Sequence, residues 1–520
     1  MPGRFLLAAT IAVCCWAAAG SVVASDTVVK PVPAPQIAPA DLGERMAAVY
    51  KVMWEAPDDG VAALAAELDA IMKDPGFTSL TAKDHYLAHW MAAVLDQRMA
   101  KYESAYQHRL RMGEVYPEAK TEGDYWVYLA GAAVRTRRYD VAAEALVKML
   151  EVDPAEAKDM SYPFLLSVVR EAKKQDDKGP YRRLLMALWQ AAYEPGEALS
   201  TAQFLWWQLF ELHVADGKPD AARKVLAGLT DAHYVIRIRA DKRYRAFVGD
   251  LPSSGDYSAA YRHERSKVRS KVAAHPDLIE GQTMLADYLM KERRYDEALA
   301  VMDAALSKVD AAPKDQPAFS DLDDHYQWAV EARANALRGL GRWNEVTEGK
   351  VKAKAAGTES DSVSQALNLG VYYVAIEKPE AALMEADAIA PDQVSGYGAM
   401  VAAEIRVCAY AQQGKVSERD QWLGYMKDHE VDGPGLYLEG LRCAGDFDAL
   451  AKAVIAQLKD VETRSETLVD LQDYDEDPAL TLQEKRMNAI DATVKARRDV
   501  RSAIARYGFV EAYSLKGIEP

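Results

Sequence analysis

Apolar residues recur at three- and four-residue spacing along this chain from Asp41 almost to its end, while the two-residue alternation of strands is scarce. Ala, Leu, Glu, Arg and Lys dominate these stretches, and all of them lose little freedom in a helix. The pattern predicts helix nearly throughout, broken at regular intervals. Gly- or Pro-bearing punctuation stands at Pro57, Asp74-Pro75-Gly76, Tyr116-Pro117, Asp153-Pro154, Lys178-Gly179-Pro180, Glu194-Pro195-Gly196 and Gly217-Lys218-Pro219. It resumes at Pro252, His275-Pro276, Gly341, Lys378-Pro379, Gly414 and Gly445. Short helices joined by tight turns pack as antiparallel pairs, and pairs in series stack on their neighbours.

Two copies of a longer pattern sharpen this reading. Trp126, Leu129 and Ala130 precede Arg138-Tyr139-Asp140, Ala142, Leu146 and a closing Asp153-Pro154. Leu285-Ala286, Tyr295-Asp296-Glu297-Ala298, Met302 and Ala305 repeat it. A small residue in the first helix lets the second approach, and the alanine of the second accepts a neighbouring backbone. An aromatic at the turn fills the gap between units. These residues resemble the tetratricopeptide (TPR) repeat, a two-helix unit of about 34 residues.

Partial copies extend the resemblance. They include Tyr102-Glu103-Ser104-Ala105 with Pro117; Trp206, Leu209, Gly217 and Ala222; and Leu369-Gly370, Tyr373 and Ala382. Gly445-Asp446-Phe447-Asp448 with Val454 is another, and Arg342-Trp343-Asn344-Glu345 is turn-like with Val346 in place of the small residue. The resemblance implies an all-α fold, a right-handed α-solenoid of antiparallel helix pairs forming a TPR-like superhelix, with roughly seven to nine units across most of 41–460.

The ends read differently. Residues 1–24 look like a secretory signal peptide, with Arg4 before the apolar stretch Phe5 to Ala19 and Val22-Val23-Ala24 before a cut. Residues 25–40 form a Pro/Ala-rich tether. Leu251 to Asp256 is the best internal boundary, between an N-terminal array over 41–250 and a C-terminal array over 251–460. In 461–520, Leu468 to Pro478 is an acidic loop, a helix is expected from Leu482 to Arg506, and Gly508 is expected to end it as a C-cap. This last segment is expected to cover the final apolar face of the solenoid.

Charge and cysteines narrow the function. With 63 basic against 79 acidic side chains the formal net charge is −16, a surface that repels phosphate backbones, so nucleic acid is not an expected partner. No later segment is apolar enough to span a bilayer, so the processed chain is expected to be exported without a membrane span, in the bacterial periplasm. Cys14 and Cys15 leave with the leader. Cys408 and Cys443 remain, about one unit apart on successive first helices, so a disulfide is conceivable and two separately buried thiols are the alternative.

Most candidate chemistry fails on inspection. His85 and His89 share a helical face, but a zinc site needs a third ligand and no HExxH glutamate accompanies them. Asp473, Asp475, Asp477 and Glu484 imitate a calcium loop, yet Pro478 stands where that loop needs a positive backbone angle. There is no nucleophile elbow, phosphate loop, dinucleotide fingerprint or CxxC pair. No cofactor, metal or enzymatic activity is expected.

The TPR resemblance implies a scaffold or adaptor that binds protein or peptide segments in a concave groove lined by first helices. The alternative is an accessory of polysaccharide or envelope synthesis whose groove holds a glycan. Projecting the repeat register places Trp90, Arg98, Arg135, Trp207, Glu211, Asp287, Lys291, Trp328, Asn335, Arg338 and Arg442 on that groove. Arg mixed with Trp suits extended acidic-aromatic peptides or sugars stacked on indole rings.

Overall fold

The computed structural model describes residues 41–513, apart from 252–256, 314, 358, 391–393 and 478. The expected leader and tether lie outside the described residues, as does the expected boundary beyond Leu251. The chain divides into two compact units between Leu212 and His213. Both are built almost wholly from helices, and among the described residues no helix is long and apolar enough to cross a membrane.

The first unit contains α1 (Leu42–Val52), α2 (Asp58–Lys73), α3 (Ala82–Arg98), α4 (Tyr102–Val115), α5 (Gly123–Arg135), α6 (Tyr139–Val152), α7 (Tyr162–Lys174) and α8 (Gly179–Gln190). The next helix, α9 (Gln203–Ala215), carries the junction. α3 packs on α4 and α5 on α6, as antiparallel pairs with short connections must. Ala142 has no exposed surface, so the second helix of this pair lies close to its neighbours as the repeat requires.

The second unit begins with α10 (Pro219–Leu226), α11 (Ala232–Ala240) and α12 (Tyr257–Ala274). Five regular pairs follow: α13 (Ile279–Lys291) with α14 (Tyr295–Ala311), α15 (Leu322–Gly339) with α16 (Trp343–Ala356), α17 (Glu359–Ala375) with α18 (Pro379–Asp387), α19 (Gly396–Gln412) with α20 (Val416–Asp428), and α21 (Pro434–Ala444) with α22 (Phe447–Lys459). Successive first helices also touch, α13 with α15, α17 with α19 and α19 with α21, which is the stacking of a helical solenoid. Ala298, Val346 and Ala382 hold the same place on three second helices and are fully buried.

One backbone device closes nine of the described helices, α8 and eight first helices. Ala100, Arg137, Ala192, Gly217, Arg293, Gly341, Glu377, Gly414 and Gly445 all have φ between 49° and 72°. In each case the next residue's N–H reaches the carbonyl five positions back, as Lys101 does to Asp96, Arg294 to Leu289 and Asp446 to Leu441. This is the left-handed Schellman ending, which satisfies helix carbonyls and, after the first helices, turns the chain directly into the second helix.

The C-terminal segment departs from expectation. It forms α23 (Arg464–Asp470), β1 (Asp473–Tyr474), α24 (Leu482–Ala496), α25 (Arg498–Tyr507) and β2 (Ala512–Tyr513), with β1 and β2 paired in parallel. The single helix expected from Leu482 to Arg506 breaks at Arg497, whose ψ of 142° is extended; its side chain is held by Asp448 and Asp499. Gly508 is not a left-handed cap, for its φ is −156°. Glycine is required there by closeness instead, since a Cβ would lie 2.4 Å from Leu468 Cδ2 and 2.5 Å from the Ala240 carbonyl. Asp241 bridges to Gly508, and α23 packs on both α22 and α11. The end of the chain thus returns to the start of the second unit.

Candidate functional site

Several residues projected onto the groove of the first unit have structural work. Trp207 is 1% exposed and packs beside Phe210, so it belongs to the core and not to a groove. The reason is local: α9 buries Leu205, Trp206, Trp207, Leu209 and Phe210, leaving it no single wet face. Arg98 donates to the carbonyls of Met53 and Ala56, each at 2.7 Å, and pairs with Asp58. It therefore caps the end of α1 and is not a groove anchor. Arg135 is exposed over the Tyr102 ring at 5.7 Å, and Glu211 is half-buried. Trp90 is half-buried and contacts Tyr50 and Trp54, whose rings are among the more exposed aromatics of the chain.

His89 does not face His85 across a metal. His85 lies against Phe77, and His89 Nδ1 is 2.9 Å from His108 Nδ1. One nitrogen must donate and the other accept, so this contact needs at least one neutral ring. Burial, followed by the nearby His108 and Arg111, lowers His89 from 6.5 to about 4, and burial lowers His108 despite Asp96 at 3.8 Å. A histidine lowered in the folded state contributes stability that is complete above its unfolded value of 6.5 and is lost as pH falls toward the folded value. Chemical denaturation should therefore show the first unit losing about 1–3 kcal/mol between pH 6.5 and 4. His89→Gln should flatten that slope; a profile steeper than wild type would refute the assignment.

In the second unit α13 carries Asp287 and Lys291 one turn apart. Burial raises the Asp287 carboxyl to about 6, Lys291 opposes the shift and Glu331 adds to it. Asp287 Oδ1 has no hydrogen-bond partner, while Lys291 Nζ sits 4.8 Å from the Tyr288 ring centroid. Trp328 and Asn335 are half-buried on α15. Glu331 is taken by Lys350, Gln365 and Asn368, so it braces three helices rather than facing a groove.

The two remaining arginines, Arg338 and Arg442, are brought together on one returning segment. Arg338 pairs with Glu484, and Arg442, 3% exposed, donates to Asp491 at 2.5 Å. Further contacts follow in order along the array. Arg293 donates to the backbone carbonyls of Asp475 and Glu476, Tyr295 donates to Asp477 at 2.5 Å, Arg486 pairs with Glu377, and Arg497 with Asp448 at 2.5 Å. Residues 475–477 and 479–497 therefore run along the turn ends of four of the five regular helix pairs. Sequence reasoning singled out Arg338 and Arg442 but missed Arg293 and Glu377, whose left-handed conformation carries no glycine signal.

The calcium-like pattern dissolves in the same geometry. Asp473 meets Lys495 at 2.6 Å, Asp477 accepts from Tyr295, and Glu484 closes a capping box with Thr481 at the start of α24. Pro478 lies outside the described residues. Glu280, Asp321 and His325 bring three ligand-type atoms within 4.8 Å of one another. Both Asp321 oxygens already accept backbone N–H groups, from Ile279 at 2.7 Å and Glu280 at 3.0 Å. This cluster therefore caps α13.

No protein-family model matches the chain, and no curated protein matches it. Solved structures do resemble it. The TPR domain of P58(IPK) is 14% identical, covering 78% of this chain and 98% of that one, with a TM-score of 0.21. The Cut9–Hcn1 hetero-tetramer of APC/C is 11% identical over 90% of each chain, with a TM-score of 0.29. Yeast Tom70 is 13% identical, covering 81% and 91%, with a TM-score of 0.23. The helix pairs, buried small residues and repeated turn described above give this chain a TPR-like helical-repeat fold on its own geometry.

Proposed function

We propose that this chain is a non-enzymatic scaffold that holds an extended protein segment along the first-helix and turn edge of its second unit. The observation carrying the reading is that this edge already holds a peptide. Residues 475–477 lie against it without helical structure of their own, gripped through their carbonyls by Arg293 and through a carboxylate by Tyr295. Backbone recognition by arginine needs no particular side chain, and the flanking carboxylate contact selects acidic sequence. The signal-like leader, which is outside the described residues, makes the exported, periplasmic setting part of the same proposal.

A photo-crosslinking residue at Asn335, half-buried on α15, tests the reading in cells. The expected result is a recurrent protein crosslinked through an acidic segment, with the crosslink lost in Arg293→Ala/Arg338→Ala. Recovery of a glycan with no protein would replace the scaffold by the envelope-polysaccharide alternative.

A further inference from the structure

We propose that residues 475–477 and the α24 helix to Arg497 are a displaceable internal ligand, and that their release opens the same edge to an acidic peptide in trans. This rests on the scaffold reading above and adds its regulation.

The segment is attached by polar staples more than by apolar packing. From one end to the other its partners are Arg293, Tyr295, Arg338, Glu377, Arg442 and Asp448, drawn from four of the five regular helix pairs. Of the apolar residues in α24, Val494 is buried while Leu482 is exposed and Ile490 only half-buried. A segment held this way opens at lower free energy than one anchored in a core. Its ends are fixed differently. Upstream, β1 is paired to β2 and the Tyr474 hydroxyl donates to the Val469 carbonyl at 2.9 Å; downstream, α25 buries Val500 and Ile504 against α22. The middle can therefore leave while both ends stay docked.

Two left-handed turn residues of the receiving surface reach the segment. Arg293 and Glu377 both adopt the left-handed turn conformation, which costs a non-glycine residue about 1–2 kcal/mol, and both place their side chains on this segment. Glycine fills the same turn position at Gly341, Gly414 and Gly445. The staples also fix the chemistry of the competing ligand. Arg293, Arg338 and Arg442 ask for carboxylates and carbonyls, so the partner is an acidic stretch read first in extended form, as Asp475-Glu476-Asp477 is.

The test compares wild type with Asp477→Asn/Glu484→Gln/Arg486→Gln, which removes three staples and keeps a residue able to complete the capping box at 484. The probe is a fluorescent synthetic peptide copying residues 473–486, followed by anisotropy. At least ten-fold tighter binding by the triple variant is expected, and Arg293→Ala/Arg338→Ala in that background should abolish it. Equal binding by wild type and triple variant, with unchanged helical spectra, would overturn the proposal. Should the variant fold poorly, wild type alone decides. Saturating peptide should speed amide exchange across 482–496 but leave α22 unchanged, and no change there overturns the proposal. If the peptide tests fail while the Asn335 crosslink to a protein persists, the internal ligand is wrong and the scaffold stands. If both fail, the scaffold reading fails with it.

Discussion

Trp207→Ala is expected to destabilise the first unit by about 3–5 kcal/mol, the range for truncating a large aromatic in a packed core. The ring is 1% exposed, its centroid lies 5.5 Å from that of Phe210, and the adjacent Trp206 meets Trp189 edge-on at 5.0 Å. Alanine would leave a void that α9 cannot close, because Leu205, Leu209 and Phe210 are buried on its other sides. Trp328, half-buried on α15, should tolerate the same change at about 1–2 kcal/mol. Urea denaturation followed by circular dichroism separates the two. Equal losses, or a larger loss at 328, would mean that the packing of α9 has been misread.

The same pair of tryptophans shows where the sequence is informative and where it stops. Helical repeats were readable because Ala142, Ala298 and Ala382 recur at fixed offsets, and all three are fully buried. The turn was readable only in part. Gly217, Gly341, Gly414 and Gly445 announce a left-handed residue, whereas Ala100, Arg137, Ala192, Arg293 and Glu377 adopt it with nothing in the residue type to say so. Trp206 and Trp207 are both buried because α9 is covered on all sides, and a repeat register that expects one wet face per first helix cannot show that.

The functional edge was half legible for a different reason. Register placed Arg338 and Arg442 on the repeat surface, and both do take acidic partners. Periodicity cannot reveal that those partners, Glu484 and Asp491, come from the same chain, because no local pattern links residues so far apart. Glu484 shows the opposite case: its spacing from the aspartates imitates a calcium loop that Pro478 already rules out, while its local contacts are those of a helix cap with Thr481. A capping box needs only two residues three apart, and it decides the conformation of residues 481–484.

Removing the link between Cys408 and Cys443 is the second large effect expected. The two sulfurs form a disulfide, with Cα atoms 4.9 Å apart and a sequence separation of 35. It joins α19 to α21, successive first helices that already pack on each other. Cys408 lies in the core cluster that includes Ala382, Ala386 and Ile405, while Cys443 touches both that cluster and the one built around Met400, Leu441 and Leu450. The crosslink therefore restrains the unfolded chain across a boundary between two cores. For a closed loop of this size the lost chain entropy corresponds to about 3–4 kcal/mol of stability. Cys408→Ala/Cys443→Ala should lower the unfolding free energy of the second unit in urea by that amount, and reductant should lower wild type to the same value while leaving the double variant unchanged. Reductant that shifts both proteins equally would place its action elsewhere. Two thiols titrating in the folded, oxidised protein would show that the bridge does not form, and the second unit would then be held by core packing across α19 and α21 alone.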